Sequence, residues 1–128
     1  HGLIAPVIKN ADQQSLVELT KAVEELALRA REERLTAEEM KGGTFTITNL
    51  GMLGVDQFQP IINPPQAAIL AVGRITQKAV VEGGSIVVKP MATLSLAFDH
   101  RIVDGAPAAR FLGRLREILQ TLEEDSEA

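Results

Sequence analysis

Met91-Ala92-Thr93-Leu94-Ser95-Leu96-Ala97-Phe98 runs straight into Asp99-His100-Arg101-Ile102-Val103-Asp104-Gly105. In the first eight residues Leu94, Leu96 and Phe98 alternate with Thr93, Ser95 and Ala97, which predicts a strand. From about Pro107 to Leu122 the period changes. Ala108, Phe111, Leu112, Leu115, Ile118, Leu119 and Leu122 recur at three- and four-residue spacing, the apolar face of a helix. Pro107 suits a helical first turn. A strand feeding a helix through a charged junction means an α/β architecture, with the junction exposed at the end of a rigid element.

Upstream, Ala67-Ala68-Ile69-Leu70-Ala71-Val72 is continuously apolar, as in a strand covered on both sides. Asn63-Pro64-Pro65 before it is turn punctuation. Val80-Val81 and Ile86-Val87-Val88 flank Glu82-Gly83-Gly84-Ser85, a hairpin signal. Thr44 to Leu50 alternates Thr with apolar residues and predicts another strand. Gly51-Met52-Leu53-Gly54-Val55-Asp56 follows. A Gly-x-x-Gly loop can hold a phosphate, but without a following Lys-Ser/Thr and helix it reads as a tight turn.

Ser15-Leu16-Val17-Glu18 fits a capping box. Leu16, Leu19, Val23, Leu26, Ala27 and Ala30 then form one apolar stripe, expected to face a core. Thr36-Ala37-Glu38-Glu39 repeats the box and predicts a short second helix ending at Gly42-Gly43. Leu3-Ile4-Ala5-Pro6-Val7-Ile8 reads as a buried or edge strand. The economical arrangement is one sheet with both long helices on one face, leaving the other face for a partner subunit.

Composition narrows the function. The 128 residues, 45% hydrophobic, fit one domain with a core. A net charge of −4 and only four aromatic residues, all Phe, argue against nucleic-acid binding. The absence of cysteine removes disulfides, thiolate metal sites and a Cys nucleophile, and mildly favours a reducing compartment. No apolar run reaches membrane-spanning length, and no signal peptide is visible. The start at His1, without Met, is expected of a processed chain or a piece of one.

The chemistry concentrates in Asp99 to Gly105. His100 is the only internal histidine, and imidazole serves as a general base near neutrality without large tuning. Asp104 follows four residues later. Spacing alone allows either a catalytic group or a structural ion-pair cluster. One internal His with two Asp is a poor zinc set, so no metal is expected. The serines are Ser15, Ser85, Ser95 and Ser126, none in a Gly-x-Ser-x-Gly elbow, which disfavours a serine nucleophile.

Asp99-His100-Arg101-x-x-Asp104-Gly105 resembles the Asp-His-Arg-x-x-Asp-Gly signature of the 2-oxo acid dehydrogenase acyltransferases, the E2 cores of the pyruvate, 2-oxoglutarate and branched-chain complexes. Four further segments resemble the same family in the same order: Gly2 to Ile8, Phe45 to Gly51, Pro60 to Pro65 and Ala68 to Gly73. The resemblance implies a chloramphenicol acetyltransferase-like fold, a two-layer α/β sandwich of mixed sheet and helices that forms trimers. It is incomplete here: residues 1–122 match roughly the C-terminal half of the catalytic domain, and 123–128 are an acidic tail.

The resemblance also implies an activity. An acyl group, acetyl by preference, would move between dihydrolipoamide and coenzyme A. His100 would be the general base and the Thr48 hydroxyl the oxyanion donor, on neighbouring subunits of a trimer. Thr48 is otherwise a strand Thr of high β-propensity. Asp104 would brace the histidine loop by pairing an arginine from the missing half; a helix N-cap is the plainer role. Coenzyme A is a substrate, and the lipoyl group arrives on a separate lipoyl domain. The implied partners are a homotrimer or larger E2 core, and the dehydrogenase and dihydrolipoamide dehydrogenase components through domains not in this sequence. The implied location is cytoplasmic in a bacterium or, secondarily, the mitochondrial matrix. The acidic end differs from the apolar tails that dock trimers into larger shells. Two alternatives stand beside this: a core piece that assembles without turning over, and an unrelated binding module.

Overall fold

The structure is a computed structural model and describes residues 5–126. The chain forms two units, His1–Thr44 and Phe45–Ala128.

The first unit is built on helix α1, Leu16–Arg31. Its start is the predicted capping box: Ser15 Oγ accepts from Glu18 N–H at 3.1 Å, and the Glu18 carboxylate accepts from Ser15 N–H. Two orphan donors of the first turn are thereby satisfied. The second box also forms, through reciprocal bonds between Thr36 and Glu39. It opens only a three-residue 3-10 turn, Glu38–Met40. Glu39 also holds a bidentate pair with Arg29 of α1, which ties the turn to the helix. The backbone bond from Thr36, then those from the Arg29 and Thr36 side chains, hold the Glu39 carboxyl below the usual range.

Two expectations change here. Of the strand read over Leu3 to Ile8, Ala5 to Ile8 are irregular, and Leu3 and Ile4 lie outside the described residues. Pro6 offers no N–H, and the Val7 N–H goes to the Glu39 carbonyl at 2.7 Å rather than to a ladder. The stripe of α1 is only partly covered; Leu26 is its one buried member, Leu19, Ala27 and Ala30 are half-buried, and Leu16 and Val23 are more than half exposed.

The second unit holds a three-stranded mixed sheet: β1, Thr46–Asn49; β2, Ala68–Val72; and β5, Leu94–Phe98, in the order β1-β2-β5. β1 runs parallel to β2 and β5 antiparallel to it. β2 is central, and its Ile69, Leu70 and Ala71 are each 5% exposed or less. A strand covered on both faces needs such an uninterrupted apolar run. Helix α2, Gly105–Ser126, lies on this sheet with Ala108 buried and Phe111 against Phe45, their ring centroids 5.9 Å apart. The helix backbone continues through Glu123 to Ser126.

The expected single sheet is in fact two. β3, Thr76–Glu82, and β4, Ser85–Met91, form a separate hairpin. Its turn is Gly83-Gly84, both at positive φ, which favours glycine and matches strand twist. The sheets separate because the chain leaves β2 at Gly73. A Cβ there would stand 1.8 Å from the Asp56 carbonyl oxygen, so only glycine allows the approach. Arg74 N–H then bonds to Val55 O at 2.8 Å, and the 55–56 loop occupies the place where a ladder would continue. The strand expected from Met91 to Phe98 is likewise divided: Met91 ends β4, and β5 begins at Leu94.

Candidate functional site

Thr48, His100 and Asp104 fall at two ends of the three-stranded sheet. β5 ends at Phe98, and Asp99 keeps one last ladder bond, its N–H to Ala67 O at 2.7 Å. The chain then turns. Asp99 O accepts from both Ile102 N–H and Val103 N–H at 2.9 Å. The Asp99 carboxylate closes the turn from inside: Oδ1 accepts from Arg101 N–H at 3.0 Å, an Asx turn. The Arg101 guanidinium folds onto the same carboxylate at 3.0 and 2.7 Å. These bonds, the side chain of Arg101 first and its backbone N–H next, lower the Asp99 pKa to about 2.

His100 sits at the apex of that turn. Its ring leans on Phe98 with centroids 5.9 Å apart and planes tilted 37°. Its Nδ1 lies 4.0 Å from Asp104 Oδ1, beyond hydrogen-bond reach. Three quarters of its side chain is exposed. The turn and the Pro64-Pro65 segment line an open depression of about 680 Å³, with Ile62, Gln66 and Phe98 in its wall. Gln66 is fixed there by the Thr46 hydroxyl, which donates to its Oε1 at 2.6 Å.

Thr48 is at the other end. It stands opposite Ala71, which stands opposite Ser95. Reaching His100 from Thr48 means crossing two strand spacings and advancing about five residues along β5. At about 4.8 Å per strand and 3.4 Å per residue, that is roughly 15–20 Å. The fold therefore brings His100 and Asp104 together and keeps Thr48 apart from both. Beyond Thr48 the chain makes a 3-10 turn, Gly51–Leu53, as the tight-turn reading expected. Asn49 Oδ1 takes the Gly51 N–H at 2.8 Å, and the N–H groups of Leu53, Gly54 and Val55 go to Leu50 and Gly51 carbonyls. Those donors are spent within the loop.

Among the described residues no group of three or more His, Cys, Asp or Glu could hold a metal ion. No helix among them is long and apolar enough to cross a membrane.

The sequence model of the 2-oxoacid dehydrogenases acyltransferase (catalytic domain) family matches residues 1–125. The chain belongs to that family. It is 47% identical over 122 residues to the dihydrolipoyllysine-residue acetyltransferase component of the pyruvate dehydrogenase complex of Staphylococcus epidermidis, covering 95% of this chain and 28% of that protein. Among solved structures, the Azotobacter vinelandii dihydrolipoamide acetyltransferase (E2p) superimposes with a TM-score of 0.91 at 44% identity, over 96% of this chain and 51% of that one. The cubic core of a pyruvate dehydrogenase multienzyme complex gives 0.88 at 45% identity, over 92% and 49%. The fold is thus the mixed α/β fold of E2 acyltransferase cores, and this chain spans about half of their solved length.

Two features of this chain escaped the motif reading. Asp99 anchors the histidine turn; an Asp two residues before a backbone donor at a strand end is the signal that could have shown it. The Gln66 side of the depression depends on a bond 20 residues away in sequence, which no local pattern reveals.

Proposed function

We propose that this chain is the acyl-transferring core of a dihydrolipoamide acyltransferase, moving an acetyl group between dihydrolipoamide and coenzyme A. The observation that carries the reading is a spacing. In the Azotobacter enzyme, the residues investigated for roles in the catalytic mechanism are a serine, a histidine 52 positions on, and an asparagine four further. Thr48, His100 and Asp104 stand at the same intervals. Thr retains the hydroxyl of Ser with a stiffer χ1.

The chemistry suits these groups. A thiol of ordinary pKa, about 8.5, is mostly protonated at neutral pH and needs a base. His100 takes that proton, the thiolate attacks the acyl thioester, and a tetrahedral oxyanion forms. The Thr48 hydroxyl donates to that oxyanion. Collapse expels the second thiolate, which recovers the proton from His100. Asp104 braces the loop from the start of α2. Because the register separates Thr48 from His100, the donor comes from a neighbouring copy in a homotrimer or larger core. That copy also covers the exposed face of His100, where a drier site strengthens each polar contact. Coenzyme A enters as substrate, and a lipoyl domain delivers the other thiol. The bacterial relatives support a cytoplasmic setting.

A second reading, an assembling core piece without turnover, is favoured by the chain's covering 51% of the Azotobacter structure. Acetyl transfer from acetyl-CoA to free dihydrolipoamide decides between them. Turnover that vanishes in His100→Ala supports the acyltransferase; turnover no higher than in that variant supports the silent piece.

A further inference from the structure

We propose that Asp99 is a positioning residue: its carboxylate clamps the Asp99–Val103 turn and thereby fixes the direction in which His100 faces the depression. This rests on the acyltransferase reading for its kinetic consequence, but its structural content stands alone. Two carboxylates flank His100, and they differ in kind. Asp104 is 84% exposed and 4.0 Å from the ring. Asp99 is only 16% exposed in its side chain and makes three hydrogen bonds through its carboxylate and three through its backbone.

Five of the six lie within the Asp99–Val103 turn, and the sixth ties it to Ala67. The N–H to Ala67 O, beside the start of β2, sets where the turn leaves β5. The carbonyl, accepting from Ile102 and Val103, closes it. The carboxylate pins the Arg101 amide, whose peptide plane directly follows His100. The backbone on both sides of His100 is thereby fixed, and Phe98 lies against one face of its ring. Arg101 contributes in the same way, as the guanidinium that holds the carboxylate in plane, although its own side chain is 90% exposed. The low pKa of Asp99, about 2, means that the clamp is charged throughout the working range.

Misplacement of a reacting group by about 1 Å costs about 10²-fold in rate. Asp99→Ala removes both the Asx bond and the guanidinium pair. Asp99→Asn keeps an oxygen for the Arg101 N–H and loses only the charge. The experiment follows both variants by NMR of the His100 ring and of the Arg101 amide, with acetyl-transfer kinetics alongside.

Asp99→Ala is expected to shift the His100 ring signals away from the values set by Phe98 and to speed exchange of the Arg101 amide. It should lower kcat by about 10²-fold with KM for coenzyme A unchanged. Asp99→Asn should restore most of each. Thermal melts that match the parent exclude simple unfolding. Should the parent prove inactive, shifted ring signals in Asp99→Ala still uphold the clamp while the acyltransferase reading fails. Unaltered His100 and Arg101 signals in Asp99→Ala overturn the proposal whatever the kinetics, and so does an unchanged kcat in Asp99→Ala where the parent turns over.

Discussion

The two ends of the three-stranded sheet are built on opposite plans. At the end beyond Thr48, backbone packs on backbone: Gly73 meets Asp56, the 51–55 turn closes on its own carbonyls, and Arg74 pairs with Asp56 at 2.8 Å. At the end beyond Phe98, one residue, Asp99, organises a turn whose apex His100 is open to solvent above a depression of about 680 Å³. One end is a fixed platform for a hydroxyl on a short strand. The other presents an imidazole outward. Under the proposed mechanism, the donor at Thr48 benefits from rigidity, whereas a base at His100 that meets two thiols in turn needs access.

The largest effect tests the open end. His100→Ala should reduce acetyl transfer by about 10²–10⁴-fold, the usual contribution of a general base, with little change in melting temperature because the side chain is exposed. Steady-state kinetics beside calorimetry reads both. A comparable loss of stability would mean that this end is structural after all.

Next comes the hydroxyl at the closed end. Thr48→Val keeps the shape and deletes the donor, and should cost about 10²–10³-fold in kcat. Thr48→Ser should retain activity. A Val variant as active as the parent would remove Thr48 from the chemistry.

Gly73→Ala tests the platform itself. A Cβ placed 1.8 Å from a backbone oxygen forces the 55–56 loop away. Overpacking of this kind typically costs about 1–3 kcal/mol, readable as a shift in urea midpoint. Free acceptance of Ala would show that the close approach is not required.

The smallest effect concerns acid. Asp99 has its carboxyl held to about 2 against an ordinary 3.8. A depressed carboxyl stabilises fully above its unfolded value and loses that contribution as pH falls through the folded one. The turn should therefore persist on acidification to below pH 3.8 and loosen towards pH 2. Amide exchange at Arg101, followed from neutral to acid pH, checks this.

Much of this contrast was legible in the residues. The alternation in Leu94 to Phe98, the unbroken apolar run in β2, the Gly83-Gly84 hairpin and the Ser15 box are local patterns, and local patterns survive folding. The histidine stood out because it is the one internal imidazole at a strand-to-helix junction. What failed was non-local. The split of the sheet depends on Gly73 meeting a loop 17 residues earlier, and the short Glu38–Met40 turn is tied to α1 by the pair of Arg29 with Glu39. The opening segment misled because Leu3 to Ile8 has the composition of a strand, while Pro6 and the use of the Val7 N–H by Glu39 deny Ala5 to Ile8 a ladder. The separation of Thr48 from His100 within one chain followed only from the family resemblance; no local pattern shows it, and the register supplies its size.

That distance makes the central claim testable. His100→Ala and Thr48→Val, each inactive alone, are unfolded together in equal amounts and refolded. If His100 and Thr48 of one site come from neighbouring copies in a cyclic trimer, random mixing leaves about one site in four with both groups intact. Acetyl transfer should then recover to about a quarter of the parent's rate. A mixture no more active than the two variants measured separately would contradict the shared site.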